Sequence, residues 1–286
     1  MKIVIYGQGK SGTSALFYKV KNSLPPSTIA LFEPTSFGMR EQLKPRLRAL
    51  ARGAIFPDIL AKVLPCDRKA VRLQDFDSFD RQVLIIRDPR DRMVSGLLYR
   101  SYHAAFDQTG ENARAFLDLL RRKEGDPLSV SLLELVDAVE ALQHGPTGPA
   151  SWLPHYQDQS VARPMAFHRE RPHLHLFRYE DMVDGRFEAL EAALRLPLKG
   201  SATVPQNLQR VVRSKGYGAW RHWFTPEDVT VMRPILQPYL DSYYPGAGWD
   251  LSPSPKLEAA FGSEYVRRVM NERRVQQKLP LLDEDR

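Results

Sequence analysis

Two short strings hold the residues whose types and spacing could do chemistry. The first is Gly7-Gln8-Gly9-Lys10-Ser11-Gly12-Thr13-Ser14, which follows the apolar, β-branched run of residues 2–6. A loop joining a strand to a helix turns several backbone N–H groups toward one point, and the helix dipole favours negative charge there. Such a loop takes an anion, and Lys10 could neutralise charge on an oxygen being expelled. The second string is Arg87-Asp88-Pro89-Arg90-Asp91-Arg92-Met93-Val94-Ser95. An arginine at the carboxyl end of a strand stands where ligands of open α/β sheets bind. Arg87 offers a forked guanidinium and Ser95 a hydroxyl, so the pair suits a phosphate. Arg90 and Arg92 read as surface partners of Asp88 and Asp91.

These residues need elements to position them. Residues 2–6, 28–32, 83–86 and 174–179 are short apolar runs that read as buried strands. The first is followed by a helix from Thr13 that ends before Pro25-Pro26. The second is followed by a helical stretch over about 36–52. The third runs into a helix capped by Asp88, with Pro89 in its first turn, that reaches about Phe106. Strands that alternate with helices predict a mainly parallel sheet covered on both faces. Residues 111–170 carry helical patterns with a loop near 144–154, and 277–286 reads as a frayed tail. With 286 residues, 43% of them hydrophobic, the chain supports one full α/β core, and no linker divides it.

The first loop is open to more than one chemistry. Gly7, Gly9 and Gly12 satisfy GxGxxG, and Glu33 at the end of the second strand could bind a ribose, as in a dinucleotide site. Gly9-Lys10-Ser11 also matches the end of a Walker A motif, but Val4 stands where that motif needs glycine. A purely structural turn would leave Lys10, Ser11, Thr13 and Ser14 without a reason. A backbone-driven dinucleotide loop has no use for Lys10.

Bulk properties narrow the partners. The net charge is +7, which fits a solvated surface, an anionic small ligand or nucleic acid. No basic stripe interleaved with aromatics supports nucleic acid, and no nucleic-acid partner is expected. Cys66 is the single cysteine, so an internal disulfide is impossible and a reducing compartment is expected. No stretch approaches the ~18 apolar residues of a membrane span. We expect a cytoplasmic protein with no integral membrane segment.

Taken in order, the strings resemble the family of sulfotransferases that use 3′-phosphoadenosine 5′-phosphosulfate (PAPS). Lys10-Ser11-Gly12-Thr13-Ser14 is similar to its 5′-phosphosulfate loop. Arg87 to Ser95, with Asp-Pro-x-Asp between them, is similar to its 3′-phosphate motif. Phe177-Arg178-Tyr179-Glu180-Asp181-Met182-Val183 resembles its Arg-Tyr-Glu-Asp-Leu segment. Residues 213–227, aligned on Trp220, resemble its C-terminal nucleotide-closing element, with Arg213 at the arginine position. Ser214, Lys215 and Ala219 depart from that pattern.

The resemblance implies a three-layer α/β/α sandwich related to nucleotide kinases, in one domain over 1–286, with a mostly helical acceptor-side insert around 105–170. It implies PAPS as co-substrate. No His/Cys/Asp cluster has metal-ligand spacing and a sulfuryl group carries less charge than a phosphoryl group, so no required metal is expected. Lys10 would stabilise the leaving phosphate oxygen, and Ser11, Gly12, Thr13 and Ser14 would cradle the 5′ side. Arg87, Ser95 and Arg213 would hold the 3′-phosphate. Glu33, in a Glu-Pro context like that of carbohydrate-acting branches, would take the acceptor proton, with His103 and His155 behind it. The acceptor would be a carbohydrate, a lipid or another small molecule. The rivals are a dinucleotide-dependent oxidoreductase and a basic nucleic-acid-binding module.

Overall fold

Among the described residues there are five strands: β1 (Lys2–Gly7), β2 (Ile29–Phe32), β3 (Ile59–Val63), β4 (Arg81–Ile86) and β5 (His175–Arg178). All pair in parallel in the order β2-β3-β1-β4-β5. This computed structural model describes the chain except residues 39–46, 48–49, 51–56, 67–69, 105–108, 146–147 and 283–286. The helical stretch expected over 36–52 lies mostly outside the described residues.

The chain divides into two compact units, residues 1–87 with 162–209, and residues 88–161 with 210–286. The first unit holds the whole sheet. On one face Ile3, Ile5, Leu60, Val83, Ile85 and Phe177 pack against Leu16, Phe17 and Val20 of helix α1 (Thr13–Lys21) and against Leu190 and Leu194 of the helix Glu188–Leu194. The alternate residue Tyr6 lies on the other face, where its ring meets Phe167 of the helix Arg163–Arg169 edge-on at 5.1 Å. Successive strand side chains point to opposite faces, so a sheet buried on both sides reads as continuous apolar runs. The first unit is thus an α/β/α sandwich around a parallel sheet.

Two features differ from the sequence reading. First, β3 is an additional strand, so the strand at 81–86 is the fourth. β3 escapes an apolar-run reading because Lys62 interrupts Ile59-Leu60-Ala61-Lys62-Val63, yet all five residues are buried. Second, β3 lies between β2 and β1. In the dinucleotide fold the second strand lies beside the first. The order found here removes the residue after β2 by one strand from the glycine loop, and Glu33 loses the ribose position that the GxGxxG reading gives it.

The second unit is helical. Its long helices are α2 (Pro89–Ala104), α3 (Glu111–Gly125), α4 (Leu132–His144), α5 (Pro226–Tyr243) and α6 (Ser263–Gln276), and α2 packs against α4, α5 and α6. Asp228 shows how the sequence sets these elements. Thr225 and Asp228 form a reciprocal capping box at the start of α5. The same carboxylate accepts the N–H groups of Leu132 and Leu133 at 2.8 and 3.0 Å, capping α4 as well. No helix of the described residues is long and apolar enough to cross a membrane.

Candidate active site

Parallel strands put all their carboxyl ends at one edge, where the first unit gathers its chemistry. β1 ends at Gly7, whose missing side chain matters: a Cβ there would meet Thr13 Cγ2 at 2.4 Å and Ile85 Cγ2 at 2.8 Å. The loop then turns through Lys10 at φ 68° and Gly12 at φ 84°. Gly12 is the N-cap residue of α1 and supplies no side chain, and no acid stands in the helix's first turn. A Cβ at Gly12 would also strike the Tyr179 ring at 2.4 Å. Gly7 and Gly12 are therefore explained by close packing and a left-handed turn. Ser11 and Thr13 are buried within the loop. Lys10 is different, because a left-handed lysine is costly unless its surroundings hold it there, and such residues gather at functional sites.

Glu33 follows β2 and is also left-handed, at φ 54°. Its backbone N–H donates to the Lys62 carbonyl at 2.9 Å. Lys62, near the carboxyl end of β3, is 3% exposed. Its Nζ donates to Glu33 Oε1 at 2.6 Å and to Ser14 Oγ at 2.9 Å, and lies 4.0 Å from the centre of the Phe32 ring. One ammonium thus joins the first turn of α1 to the carboxylate that the sequence nominates as a base. The Glu33 side chain is 40% exposed, and its other oxygen, Oε2, has no hydrogen-bond partner among the described residues. Sequence reading missed Lys62. The available signal was a lysine inside an apolar run bracketed by Pro57 and Pro65.

Arg87 directly follows β4 and is buried. Its Nη1 donates to the Lys10 carbonyl at 3.0 Å, and the guanidinium lies 4.2 Å from the centre of the Tyr179 ring. Tyr179 thereby touches both Arg87 and the space above Gly12, which gives the Arg178-Tyr179-Glu180-Asp181 string a place at the loop. Lys10, Ser11, Gly12, Thr13, Ser14, Glu33 and Arg87 all belong to the first unit.

Ser95 and Arg213 belong to the second. Ser95 is buried on α2, and Arg213 is buried with its Nη1 donating to the Phe261 carbonyl at 3.1 Å. The expectation of Arg90 as a solvated surface residue is corrected. Arg90 does pair with Asp88, but it is 2% exposed and lies 3.9 Å from the centre of the Trp220 ring. Asp91 reaches distant backbone: it accepts the N–H groups of Gly218 and Trp220. The spare histidines are also in this unit. His103 is exposed and meets the Tyr99 and Tyr102 rings edge-on, and His155 is exposed.

Neither a protein-family model nor a curated protein matches the chain. Among solved structures it is similar to the mouse sulfotransferase SULT7A1 in complex with PAP, at a TM-score of 0.42 and 14% identity over 84% of each chain.

Proposed function

We propose that this chain is a sulfotransferase that moves a sulfuryl group from PAPS to a hydroxyl or amine. The observation that supports it most is the single ammonium of Lys62 on both Ser14 and Glu33. It holds an exposed carboxylate beside the loop proposed to take the donor phosphate, which suits an in-line transfer that needs the acceptor's base and the leaving group positioned together. The acceptor oxygen forms the new bond to sulfur while the bond from sulfur to the phosphate oxygen breaks. The electron pair goes to that phosphate oxygen, where Lys10 balances it, and the acceptor proton goes to Glu33 Oε2. Ser11, Gly12, Thr13 and Ser14 cradle the 5′ side. The 3′-phosphate is assigned to Arg87, Ser95 and Arg213 on the sequence pattern.

The whole of 1–286 would act as one sulfotransferase domain, with the helical stretch around 105–170 on the acceptor side. The acceptor class is a carbohydrate, lipid or other small molecule, the glycan reading resting on the Glu33-Pro34 context. Calorimetry tests the donor assignment. The expected result is micromolar or tighter binding of 3′-phosphoadenosine 5′-phosphate and weaker binding of adenosine 5′-monophosphate. Equal affinities would remove the 3′-phosphate site. Transfer from labelled PAPS across a panel of sugars, lipids and phenols would then identify the acceptor.

A further inference from the structure

The first turn of α2 carries a buried carboxylate that the proposed chemistry does not use. Asp91 is 1% exposed. Its Oδ2 accepts the N–H of Gly218 and its Oδ1 accepts the N–H of Trp220 at 3.0 Å, 127 and 129 residues away in sequence. Beside it, Arg90 is gripped by Asp88, with Nε on Oδ1 at 2.9 Å and Nη2 on Oδ2 at 2.6 Å. The Arg90 guanidinium lies against Trp220 and 5.0 Å from the centre of the Trp249 ring. Burying a carboxylate is costly, and two N–H donors that point at it repay that cost only in one geometry. A carboxylate used this way fixes the path of a loop more narrowly than apolar packing does.

The loop in question leaves Arg213 five residues before Gly218, which turns at φ 81°. On the other side of the contact, Asp91 and Ser95 are four apart on α2, and residues so spaced share a helix face. Within the second unit, Asp91 therefore fastens the segment that follows Arg213 to the face of α2 that bears Ser95.

We propose that Asp91 is a positioning residue for recognition of the 3′-phosphate: it sets the Arg213 segment against the Ser95 face. The proposal rests on the sulfotransferase reading, which assigns Ser95 and Arg213 to that phosphate. Its measure is the ratio of the two dissociation constants, for adenosine 5′-monophosphate and for 3′-phosphoadenosine 5′-phosphate, determined calorimetrically on the full chain.

Asp91→Asn keeps the shape but replaces one acceptor with a donor that faces a backbone N–H. The expected result is a fall in the ratio of about 10-fold or more, the scale of a charge-assisted hydrogen bond, with the monophosphate constant unchanged within about 2-fold. An unchanged ratio, or parallel weakening of both ligands, would overturn the proposal, since a merely structural role moves both together. Gly218→Ala covers the case in which Asp91→Asn does not fold. A Cβ there meets nothing within 4 Å, but φ 81° strains it, so the same contact loosens while Asp91 stays. The expected fall in ratio is about 3-fold for a strain of this size, and no fall overturns the proposal. A wild-type chain that does not distinguish the two nucleotides would instead sink the sulfotransferase reading, and the proposal with it.

Discussion

Glu33 and Asp228 are both carboxylates beside a buried lysine, and they stand in opposite circumstances. Asp228 is fully buried, and its two oxygens accept N–H groups from Leu132, Leu133 and Thr225 and the Thr225 hydroxyl. Among the described residues Glu33 is bound through one oxygen by one ammonium, and its side chain is 40% exposed. An acid saturated with backbone donors holds elements together and has no oxygen left for a substrate. An acid held by one partner is aimed, yet keeps an oxygen for a proton. Under the proposed function, the number of donors on each carboxylate would separate architecture from chemistry.

Under the proposed function, the largest effect expected in the loop is at Lys10. Lys10→Ala should lower turnover about 10²–10³-fold, the scale of removing one donor to charge that develops in the transition state. The donor Michaelis constant should change far less, because the proposed cradle of Ser11, Gly12, Thr13 and Ser14 would still hold the ground-state phosphate. If only the Michaelis constant rises in steady-state kinetics, Lys10 acts on the bound donor rather than on the transfer.

Glu33 and Asp228 sharpen the comparison as a pair. Glu33→Gln should slow transfer about 10²-fold while urea unfolding stays within about 1 kcal/mol of wild type. Asp228→Ala should do the reverse. It leaves three N–H groups without their acceptor and should cost about 2–4 kcal/mol in the same urea titration. Turnover by the fraction that remains folded should be close to wild type. A Glu33→Gln enzyme within a few-fold of wild type in turnover, with tight donor binding intact, would move the base to His103 or His155.

What was legible in the sequence follows from the same physics. β1, β2, β4 and β5 announce themselves as apolar runs because a doubly covered parallel sheet needs nothing else. Lys10 and Glu33 could be nominated because each follows such a run. Lys62 could not, because the residue that makes the site also breaks the pattern that reveals its strand. Asp91 is legible only in part for a different reason. Its neighbours Arg90 and Arg92 offer local partners, whereas its backbone donors, on Gly218 and Trp220, become visible only once the chain has folded. Short-range spacing reports strands and caps, and it is silent about a carboxylate whose partners are backbone groups more than a hundred residues away.

Lys123 extends the comparison to the cationic partner and predicts the smallest effect. Its side chain is fully buried at the end of α3, with Nζ donating to the carbonyls of Pro127 at 2.8 Å and Val130 at 2.5 Å. Burial pulls its pKa down from 10.5 to about 8, and the charges of Asp228, Glu134 and Asp126 oppose that shift only in part. In the unfolded chain the same amine keeps its ordinary value. Between about pH 8 and 10.5 the unfolded state therefore binds more protons than the folded one, so this group makes stability rise with pH in that window. Below pH 8 both states are protonated and the penalty of the buried charge is constant. The rise due to Lys123 should be about 1 kcal/mol between pH 7.5 and 9, a range chosen to end before tyrosines ionise in the unfolded chain. Lys123→Met removes the titrating group while filling its space. Whatever its overall stability, its urea midpoints should lack that rise when compared with wild type over the same pH series. Parallel profiles for the two proteins would show that the buried amine does not titrate there, and that the carbonyls of Pro127 and Val130 hold its proton as firmly as water does.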